Sequence, residues 1–432
     1  MISPIEKYLC KRAALDARPL VASSVLDVDQ VVVIPAYAEE SFLFHTLASL
    51  GANPTEDRER TLVICVVNNR AEDSMEVKRE NQRVLTELDA ARREGRYGLR
   101  LAVVDAASEK CELPPREGVG AARKIGLDWG LAVLASTGAD LAILLSLDAD
   151  TLVEANYLPA VRAHYANHNS WAATTAYAHA LDNDAIVQYE LYLRCHALWL
   201  RHAGSPYWRT ALGSRITCSA EAYAAVGGMN RRTAGEDFYF LQELVKTGDV
   251  RDIAITCVHP SGRASRRVPF GTGPRVHAAT SGQGDAILAY NPEAYRVLRA
   301  WLGLAEKSLD APGDRLLRDA EAIHPALASF LRASKFEKAW ESLRDNHRDD
   351  ARMVREFHRW FDGLKTLRAI HALRDAAFPS QDPAIILPWL VALTGLDEIA
   401  FAEAHKNGPA AVLAFLRESE RLLYSSRLLA LQ

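Results

Sequence analysis

The sequence predicts an α/β protein in which a mostly parallel sheet is followed by a helical region. Short β-branched runs alternate with helical patterns from residue 30 onward, as in a parallel sheet covered by helices on both faces. Polar turns follow these runs, and after residue 283 the pattern becomes helical. We therefore expect an N-terminal extension over 1–29, a sheet domain over 30–282 and a helical domain over 283–432.

The first part of the sheet domain contains four strand-like runs. Each run is mostly apolar, and the first, a compact β-branched run, is typical of a buried parallel strand. Pro35 is expected to end the first of them. The runs are 30–34, 61–67, 99–104 and 141–147.

Helical patterns separate these runs, over 39–50, 74–94 and 120–136. In the C-terminal part, apolar residues from Met353 to His371 recur at three-to-four-residue spacing, which predicts one amphipathic helix. Another helix is expected from Pro409 to residue 423, because proline is favoured in a first helical turn.

The polar turns after the four runs are expected to meet at one edge of the sheet. They lie at 35–40, 68–73, 105–108 and 148–151. Ligands of parallel sheets bind beyond the carboxyl ends of the strands. The pattern therefore predicts a binding site at this edge.

Composition and charge argue against several classes of protein. The chain of 432 residues has a formal net charge of −4, so no global basic field indicates nucleic acid as a partner. It contains no uncharged apolar window of about 18 residues, so we expect no transmembrane segment. No signal peptide is evident, and the six scattered cysteines suit the reducing cytoplasm, where we expect the protein.

Two aspartates, Asp148 and Asp150, directly follow the fourth run. Carboxylates are costly to bury unpaired, and at a strand end they could share Mg²⁺ or Mn²⁺ with phosphate oxygens and water. Such an ion would neutralise the charge that develops on a diphosphate leaving group. The alternative is that the aspartates cap a helix that opens near Thr151.

A second acidic pair, Glu236 and Asp237, opens the apolar helix that is predicted over 238–245. One interpretation is a favourable interaction with the helix dipole. The other is a catalytic site, in which Asp237 acts as a general base on an acceptor hydroxyl.

The chain also contains six segments whose order is informative: VVVIPAYAEE, VVNNRAEDS, GVGAARKIGLDWG, LSLDADTLVEANYL, GSRITCSAEAYAAVGGMN and AGEDFYFLQELVKTG. Together they resemble the sequence blocks of family 2 glycosyltransferases with the GT-A fold, over residues 30 to about 260. The resemblance implies a soluble, non-processive enzyme that moves a sugar from a nucleotide-diphosphate sugar to an unknown acceptor hydroxyl, with inversion.

The resemblance also implies roles for individual residues. Asp148 and Asp150 match the DxD pair of the metal site, with Asp150 as the direct ligand, and Asp237 matches the catalytic base. The residues expected to bind the nucleotide sugar are Pro35, Ala36, Tyr37, Glu39, Asn69, Asp73, Arg123, Asp148 and Arg267.

Two further features follow the acidic pair. His259 ends a strand-like run, at a place comparable to that from which many enzymes of this fold take a third metal ligand. The segment 260–276 contains Arg263, Arg266, Arg267 and Arg275. Guanidinium groups bind phosphates bidentately, so this segment could be a lid over the diphosphate or a pocket for an anionic acceptor. The alternative is a solvated basic loop.

The sequence departs from the family in three places. Ala38 stands where the family usually has Asn, and Asn68-Asn69 replaces a common aspartate pair, so the nucleotide base stays open. The QxxRW signature of processive synthases is missing after Asp237, which argues against a polysaccharide polymerase.

Several alternatives remain. A retaining enzyme with a small anionic acceptor, resembling the glucosyl- or mannosyl-glycerate synthases, has the same fold. A sugar-1-phosphate nucleotidyltransferase should carry a glycine-rich loop near the first strand, which is missing. A nicotinamide dehydrogenase is disfavoured because Arg123 replaces the third glycine of its fingerprint. A non-catalytic scaffold would use the helical region.

Overall fold

The computed structural model describes residues 3–15, 18–23, 25–265, 271–281, 287–347 and 349–429. The chain forms two compact units. The first comprises Met1–Asp182, Ala211–His277 and Glu420–Gln432, and the second comprises Asn183–Thr210 and Ala278–Ser419. The segment Asn183–Thr210 therefore groups with the C-terminal helices, although it lies within the sheet domain that was predicted over 30–282.

Within the described ranges, the first unit is built on a sheet of nine strands in the order β1-β4-β3-β2-β5-β8-β7-β9-β6. The strands are β1 (Leu20–Ala22), β2 (Gln30–Ala36), β3 (Thr61–Asn68), β4 (Arg100–Ala106), β5 (Ile143–Ser146), β6 (Thr151–Val153), β7 (Ala172–Tyr177), β8 (Ile216–Ser219) and β9 (Val250–Pro260). The central strands β4, β3, β2 and β5 are parallel. The α/β prediction is confirmed, and antiparallel pairings extend the sheet on both sides.

The helices follow the alternation that the sequence predicts up to β5. Two 3-10 helices, Arg96–Gly98 and Gly213–Arg215, accompany them. The α-helices are α1 (Pro4–Arg12), α2 (Glu40–Gly51), α3 (Thr55–Glu59), α4 (Met75–Glu94), α5 (Val119–Thr137), α6 (Tyr157–Asn167), α7 (Asp184–His202), α8 (Ala220–Ala225), α9 (Glu236–Thr247), α10 (Thr272–Thr280), α11 (Pro292–Lys307), α12 (Gly313–Ile323), α13 (Pro325–Ala333), α14 (Phe336–Asn346), α15 (Asp350–Trp360), α16 (Gly363–Ala376), α17 (Pro383–Thr394), α18 (Glu398–Lys406) and α19 (Pro409–Leu429).

Strand β2 was predicted to end at Pro35, but in the structure it continues to Ala36. Alternate residues of a strand direct their backbone groups to alternate neighbours, and the Val33 carbonyl accepts from Leu147 N, just beyond β5. Pro35 has the same orientation as Val33, at a level where β5 has already ended. At Pro35 the sheet therefore requires no backbone N–H on the side of β5, and proline is tolerated there.

Two other predictions of local structure were wrong. Thr151 opens strand β6, which pairs with β9, so Asp148 and Asp150 do not cap a helix there. The single helix predicted from Met353 to His371 is two helices, α15 and α16. The Asp362 side chain accepts a hydrogen bond from Lys365 N and caps the second, so a helix start interrupts the periodic pattern.

The N-terminal extension is part of the first unit. Strand β1 pairs antiparallel with β4, and the Tyr8 hydroxyl of α1 donates to Asp128 of α5 at 2.7 Å. Burial, followed by the charge of Asp128, raises the pKa of Tyr8. This buried contact joins the extension to the helix that covers the centre of the sheet.

The second unit consists of helices in its described part. Helix α7 packs against α11 and α17, with Trp199 stacked on Tyr295 at 5.6 Å between ring centroids. The buried Glu190 accepts from Arg194 and Arg417, and these contacts balance its charge. In the described part of the chain, no helix combines the length and apolar character needed to cross a membrane.

The position of β2 explains where a ligand would bind. The chain passes from β2 to β3 and β4 on one side, then returns to β5 on the other. Such a change of direction opens a crevice at the carboxyl ends of the two central strands. Residues 37–39 follow β2 and residues 148–150 follow β5, so both segments lie at this crevice.

Candidate active site

Arg123 of α5 connects the two acidic motifs. Its Nη2 donates to Asp148 Oδ1 at 2.7 Å, and its Nε donates to Glu236 Oε1 at 3.3 Å. The same guanidinium bonds Ser146 Oγ at the end of β5. Burial acts to lower the pKa of Arg123, but the charges of Asp148 and Glu236 outweigh it and raise that pKa overall. Two motifs that lie far apart in the sequence thus share one buried cation.

The second carboxylate oxygen of Asp148 is also bonded. Asp148 Oδ2 accepts from Ser214 Oγ at 2.6 Å, and Ser214 Oγ is 2.8 Å from Thr151 Oγ1. Ser214 belongs to the short helix Gly213–Arg215, which ends where β8 begins. Because both oxygens of Asp148 accept hydrogen bonds from the protein, its carboxylate is held in a fixed orientation.

Glu236 and Asp237 form the first turn of α9. Gly235 precedes them with φ of 71°, a left-handed conformation that glycine adopts without a steric penalty. Glu236 is buried, Asp237 is half-buried, and Phe238 N donates to Asp237 Oδ1 at 2.7 Å. Burial raises the pKa of Glu236. Burial and then the charge of Glu236 raise the pKa of Asp237 to about 7.

Asp150 and Glu39 meet at Arg263. Arg263 Nη2 lies 2.8 Å from Asp150 Oδ2 and 2.6 Å and 2.7 Å from the two Glu39 oxygens. The guanidinium also lies over the Phe42 ring, 4.0 Å from its centroid. Two carboxylates, one following β5 and one following β2, therefore converge on a single cationic group.

The turns after β2 and β3 are joined by Asn81 of α4. Its Oδ1 accepts from Ala38 N at 3.0 Å, while its Nδ2 donates to Asn68 O and to Asn69 Oδ1. Ala38 has φ of 51°. Asn81 thus fixes two turns, immediately beyond Pro35 and Ala36, that are expected from the resemblance to line a nucleotide pocket.

Tyr37 and Asp73 are also in contact, across the same two turns. Burial and the charge of Asp73 raise the pKa of Tyr37, and Asp73 is hydrogen-bonded to the tyrosine. Asp73 also accepts from Arg70 N and from the Arg70 guanidinium. The structure therefore brings this pair together, as expected if both line one pocket.

His259 is separated from the aspartates with which it was predicted to bind a metal. It lies within β9, opposite Leu152, and its ring contacts Glu154 and the Ala178 carbonyl. Within the described residues, Asp148, Asp150 and His259 do not place all their ligand atoms within 4.8 Å of one another. The structure groups His259 with Glu154 and Cys257 instead.

Other predicted residues fall outside the described part. Arg266 and Arg267 lie there, as does part of the segment 260–276 that was interpreted as a lid. Of that segment, Arg263 is described at the centre of the site. Its pairing with Glu39 was not predicted, and neither were the contacts of Ser214 and Asn81. Ser214 lies in a block of the resemblance and Arg263 in the arginine-rich segment 260–276, and these patterns are the signals that could have found them. Asn81 lies beyond the second block, in the predicted helix over 74–94.

Comparison with known proteins gives a distant similarity. No protein family and no curated protein matches the sequence. Staphylococcus aureus TarS 1–349 is a similar solved structure, with a TM-score of 0.38, 14% identity and coverage of 77% of this chain and 91% of that chain.

Two other solved structures are similar at the same level. One is the mannosyltransferase PcManGT from Pyrobaculum calidifontis in complex with GDP-Man and Mn²⁺, with a TM-score of 0.36, 14% identity and coverage of 96% and 91%. The other is GalNAc-T7 with UDP, GalNAc and Mn²⁺, with a TM-score of 0.36, 13% identity and coverage of 82% and 58%. Similarity this low does not establish a family.

Proposed function

We propose that the protein is a glycosyltransferase that moves a sugar from a nucleoside-diphosphate sugar to an acceptor hydroxyl, with inversion. One observation carries the proposal: Arg123 joins Asp148, at the crevice between β2 and β5, to Glu236 beside Asp237. A donor in the crevice would therefore lie next to an acidic group that can accept a proton.

Asp237 is the base in this proposal. A general base works best when its pKa lies near the pH at which the enzyme operates, and the pKa of Asp237 is raised to about 7. Its carboxylate would take the proton of the acceptor hydroxyl as that oxygen attacks the anomeric carbon and the nucleoside diphosphate leaves. Arg123 and Phe238 N hold this acidic turn in place.

The residues of the site also fit a divalent cation, namely Mg²⁺ or Mn²⁺. Asp150 and Glu39 already direct three oxygens at one cationic nitrogen of Arg263, and carboxylate oxygens are the ligands that these ions prefer. Asp150 would hold the ion with Glu39, and Asp148 would orient the donor. When bound, the ion would neutralise charge on the departing diphosphate.

Arg263 would then serve the phosphates. Among the described residues, its buried Nε has no hydrogen-bond partner, so a donor group is available for an anionic oxygen. Guanidinium groups bind phosphates through paired donors. Arg263 released from Asp150 would retain its place above Phe42 and direct its donors toward the diphosphate.

The decisive experiment combines donor binding with turnover. UDP-, GDP-, ADP- and dTDP-sugars with Mn²⁺ are screened by thermal shift, because a ligand that binds the folded state raises its stability. With the donor found, Asp237→Asn should bind it as wild type does, while transfer falls by roughly 10²–10⁴.

The matched control is Asp140→Asn, at an exposed aspartate outside the site, which should keep full activity. An active Asp237→Asn variant would refute the assignment of the base. Stabilisation by none of the donors would argue against a glycosyltransferase. NMR of the product's anomeric configuration distinguishes inversion from the retaining alternative.

A further inference from the structure

A second cluster of ligand-type side chains lies at the far end of β6 from Asp150. It consists of Glu154, Cys257 and His259, whose ligand atoms all lie within 4.8 Å of one another. The candidate active site is built from other residues, among them Arg123, Asp148 and Glu236. Their chemistry also differs, because a thiol and an imidazole stand beside the carboxylate.

The sheet places these three side chains on one face. Side chains along a strand alternate between faces, so Cys257 and His259, two residues apart in β9, share a face, and the Val258 between them is buried. The pairing of Val153 with Val258 places Glu154 opposite Cys257. All three residues are partly or largely open to solvent, so an ion could reach them.

The hydrogen bonds around the cluster already orient its ligand atoms. His259 Nδ1 lies 3.1 Å from the Ala178 carbonyl, which can accept but not donate. Nδ1 of a neutral ring therefore carries the proton, and the lone pair is on Nε2, which faces Glu154 Oε1 at 3.7 Å. Histidines that bind metals commonly have this second hydrogen bond to a carbonyl or carboxylate.

The carboxylate is fixed in a similar way. Glu154 Oε2 accepts from Cys257 N at 3.1 Å, and the Glu154 carbonyl accepts from Tyr157 N and from Asn53. The remaining oxygen, Oε1, is the one directed at His259. In a tetrahedral zinc site with bonds of about 2.1 Å, neighbouring nitrogen and oxygen ligands lie about 3.4 Å apart, close to the 3.7 Å observed here.

We propose that Glu154, Cys257 and His259 bind a Zn²⁺ ion. Thiolate and imidazole favour zinc over Mg²⁺ or Mn²⁺, which prefer oxygen ligands. Binding releases the thiol proton of Cys257 to solvent, because the thiolate is the ligand. Three protein ligands leave a fourth position for water. The bound ion would link β6 to β9, which pair over only three residues.

This metal link would stabilise the two segments that carry Asp150 and Arg263. Asp150 directly precedes β6, and Arg263 follows β9 by three residues. Four residues of extended chain, about 13 Å, separate Asp150 from Glu154 along β6, so the zinc site and the proposed donor site are distinct. The zinc proposal does not depend on the proposed function.

The test uses Co²⁺ as a spectroscopic substitute for Zn²⁺ in the purified full-length chain. We expect one equivalent of Co²⁺ to bind with a thiolate-to-cobalt charge-transfer band, which Zn²⁺ abolishes by displacing the cobalt. Cys257→Ser should abolish the band, and Glu154→Gln should weaken binding by about tenfold or more. Cys10→Ser, at an exposed cysteine, is the matched control and should leave the band unchanged.

Two comparisons keep the outcome decisive. Metal-free variants are first shown to unfold at the wild-type temperature, so that a lost band reports a lost ligand. Asp150→Asn should retain the cobalt band, which separates this site from the proposed donor site. A band that survives Cys257→Ser, or octahedral cobalt without a thiolate band, would overturn the proposal.

Discussion

Ala38 has a backbone conformation that its side chain does not favour. Its φ of 51° is left-handed, and that region costs an L-residue roughly 1–2 kcal/mol, whereas asparagine tolerates it better. Asparagine, usual here in the family that the sequence resembles, would fit this conformation better than the alanine that is present. Asn81 Oδ1 accepts a hydrogen bond from Ala38 N, which helps to hold the turn.

We therefore expect Ala38→Asn to stabilise the protein by about 0.5–1 kcal/mol. The matched control is Ala48→Asn, on the exposed face of α2, where asparagine is a poorer helix former and should destabilise by a similar amount. Thermal unfolding of both variants gives the measurement. If the unfolding temperatures of both variants shift in the same direction, the backbone strain assigned to Ala38 is wrong.

Arg123 should have an effect on stability that depends on pH. The pKa values of Asp237 and Glu236 are raised in the folded protein. The folded state therefore favours their protonated forms, and protonation stabilises it relative to the unfolded chain. That stability is present below about pH 4 and is lost as the pH rises through the folded-state value, about 7 for Asp237. Arg123 opposes this loss because it stabilises the charged forms.

Arg123→Met should therefore destabilise the protein by roughly 3–5 kcal/mol at pH 8 and by less at pH 5. Urea unfolding at both values measures the difference. Arg231→Met, at a half-exposed arginine paired with Glu117, should cost less than about 1 kcal/mol at either pH. An equal loss at pH 5 and pH 8 for Arg123→Met would show that charge is not the cause.

At the scale of elements, Gly120 shows why α5 begins in a glycine-rich segment. A Cβ atom at Gly120 would lie 2.5 Å from Arg232 O and 2.8 Å from Asn230 O, both backbone atoms. Asn230 in turn donates to Glu236 O at 3.0 Å. The glycine therefore permits the close approach that positions the acidic turn of α9.

Gly120→Ala should displace the segment around Asn230, cost about 1–3 kcal/mol and reduce transfer activity. Gly303→Ala is the matched control, since Gly303 lies inside α11 and no atom of the described residues is within 4 Å of the added Cβ. Alanine there should stabilise the helix by up to about 1 kcal/mol. Denaturant titration and activity assays compare the two, and a neutral Gly120→Ala would refute the proposed role.

The elements themselves could be predicted because their signals are local. The runs of β2, β3 and β4 and the helical spacing of α2 and α4 are visible within short windows of sequence. The site could be predicted only in part. Pairings such as Arg263 with Glu39, 224 residues apart, depend on how β2 and β9 are placed in the sheet, and no local pattern carries that information.

At the scale of the molecule, the chain leaves the first unit and returns to it twice. Helix α7 belongs to the second unit, where Trp199 stacks on Tyr295 and Glu190 binds Arg417. The sequence pattern of α7 fits a helix of either unit, because a buried helix has the same periodicity whichever elements pack against it. Sequence alone therefore could not determine its partners.

A chain truncated after residue 282 should consequently fail to fold as an independent domain. It would keep α7 but lose α11 and α17, so the buried faces of Leu191 and Trp199 would be exposed. Size-exclusion chromatography and near-UV circular dichroism should show aggregation and lost aromatic packing. A monomeric truncated chain with cooperative unfolding would contradict this expectation.

The guanidinium of Arg123 also has an evolutionary consequence. Asp148 and Glu236 both form an ion pair with Arg123. A substitution at either acid therefore changes the strength of the ion pair that the other acid makes. Their effects should be epistatic, with the double variant departing from the sum of the single variants. Lineages that alter one of these acids would be under selection to adjust Arg123 or the other acid in the same step.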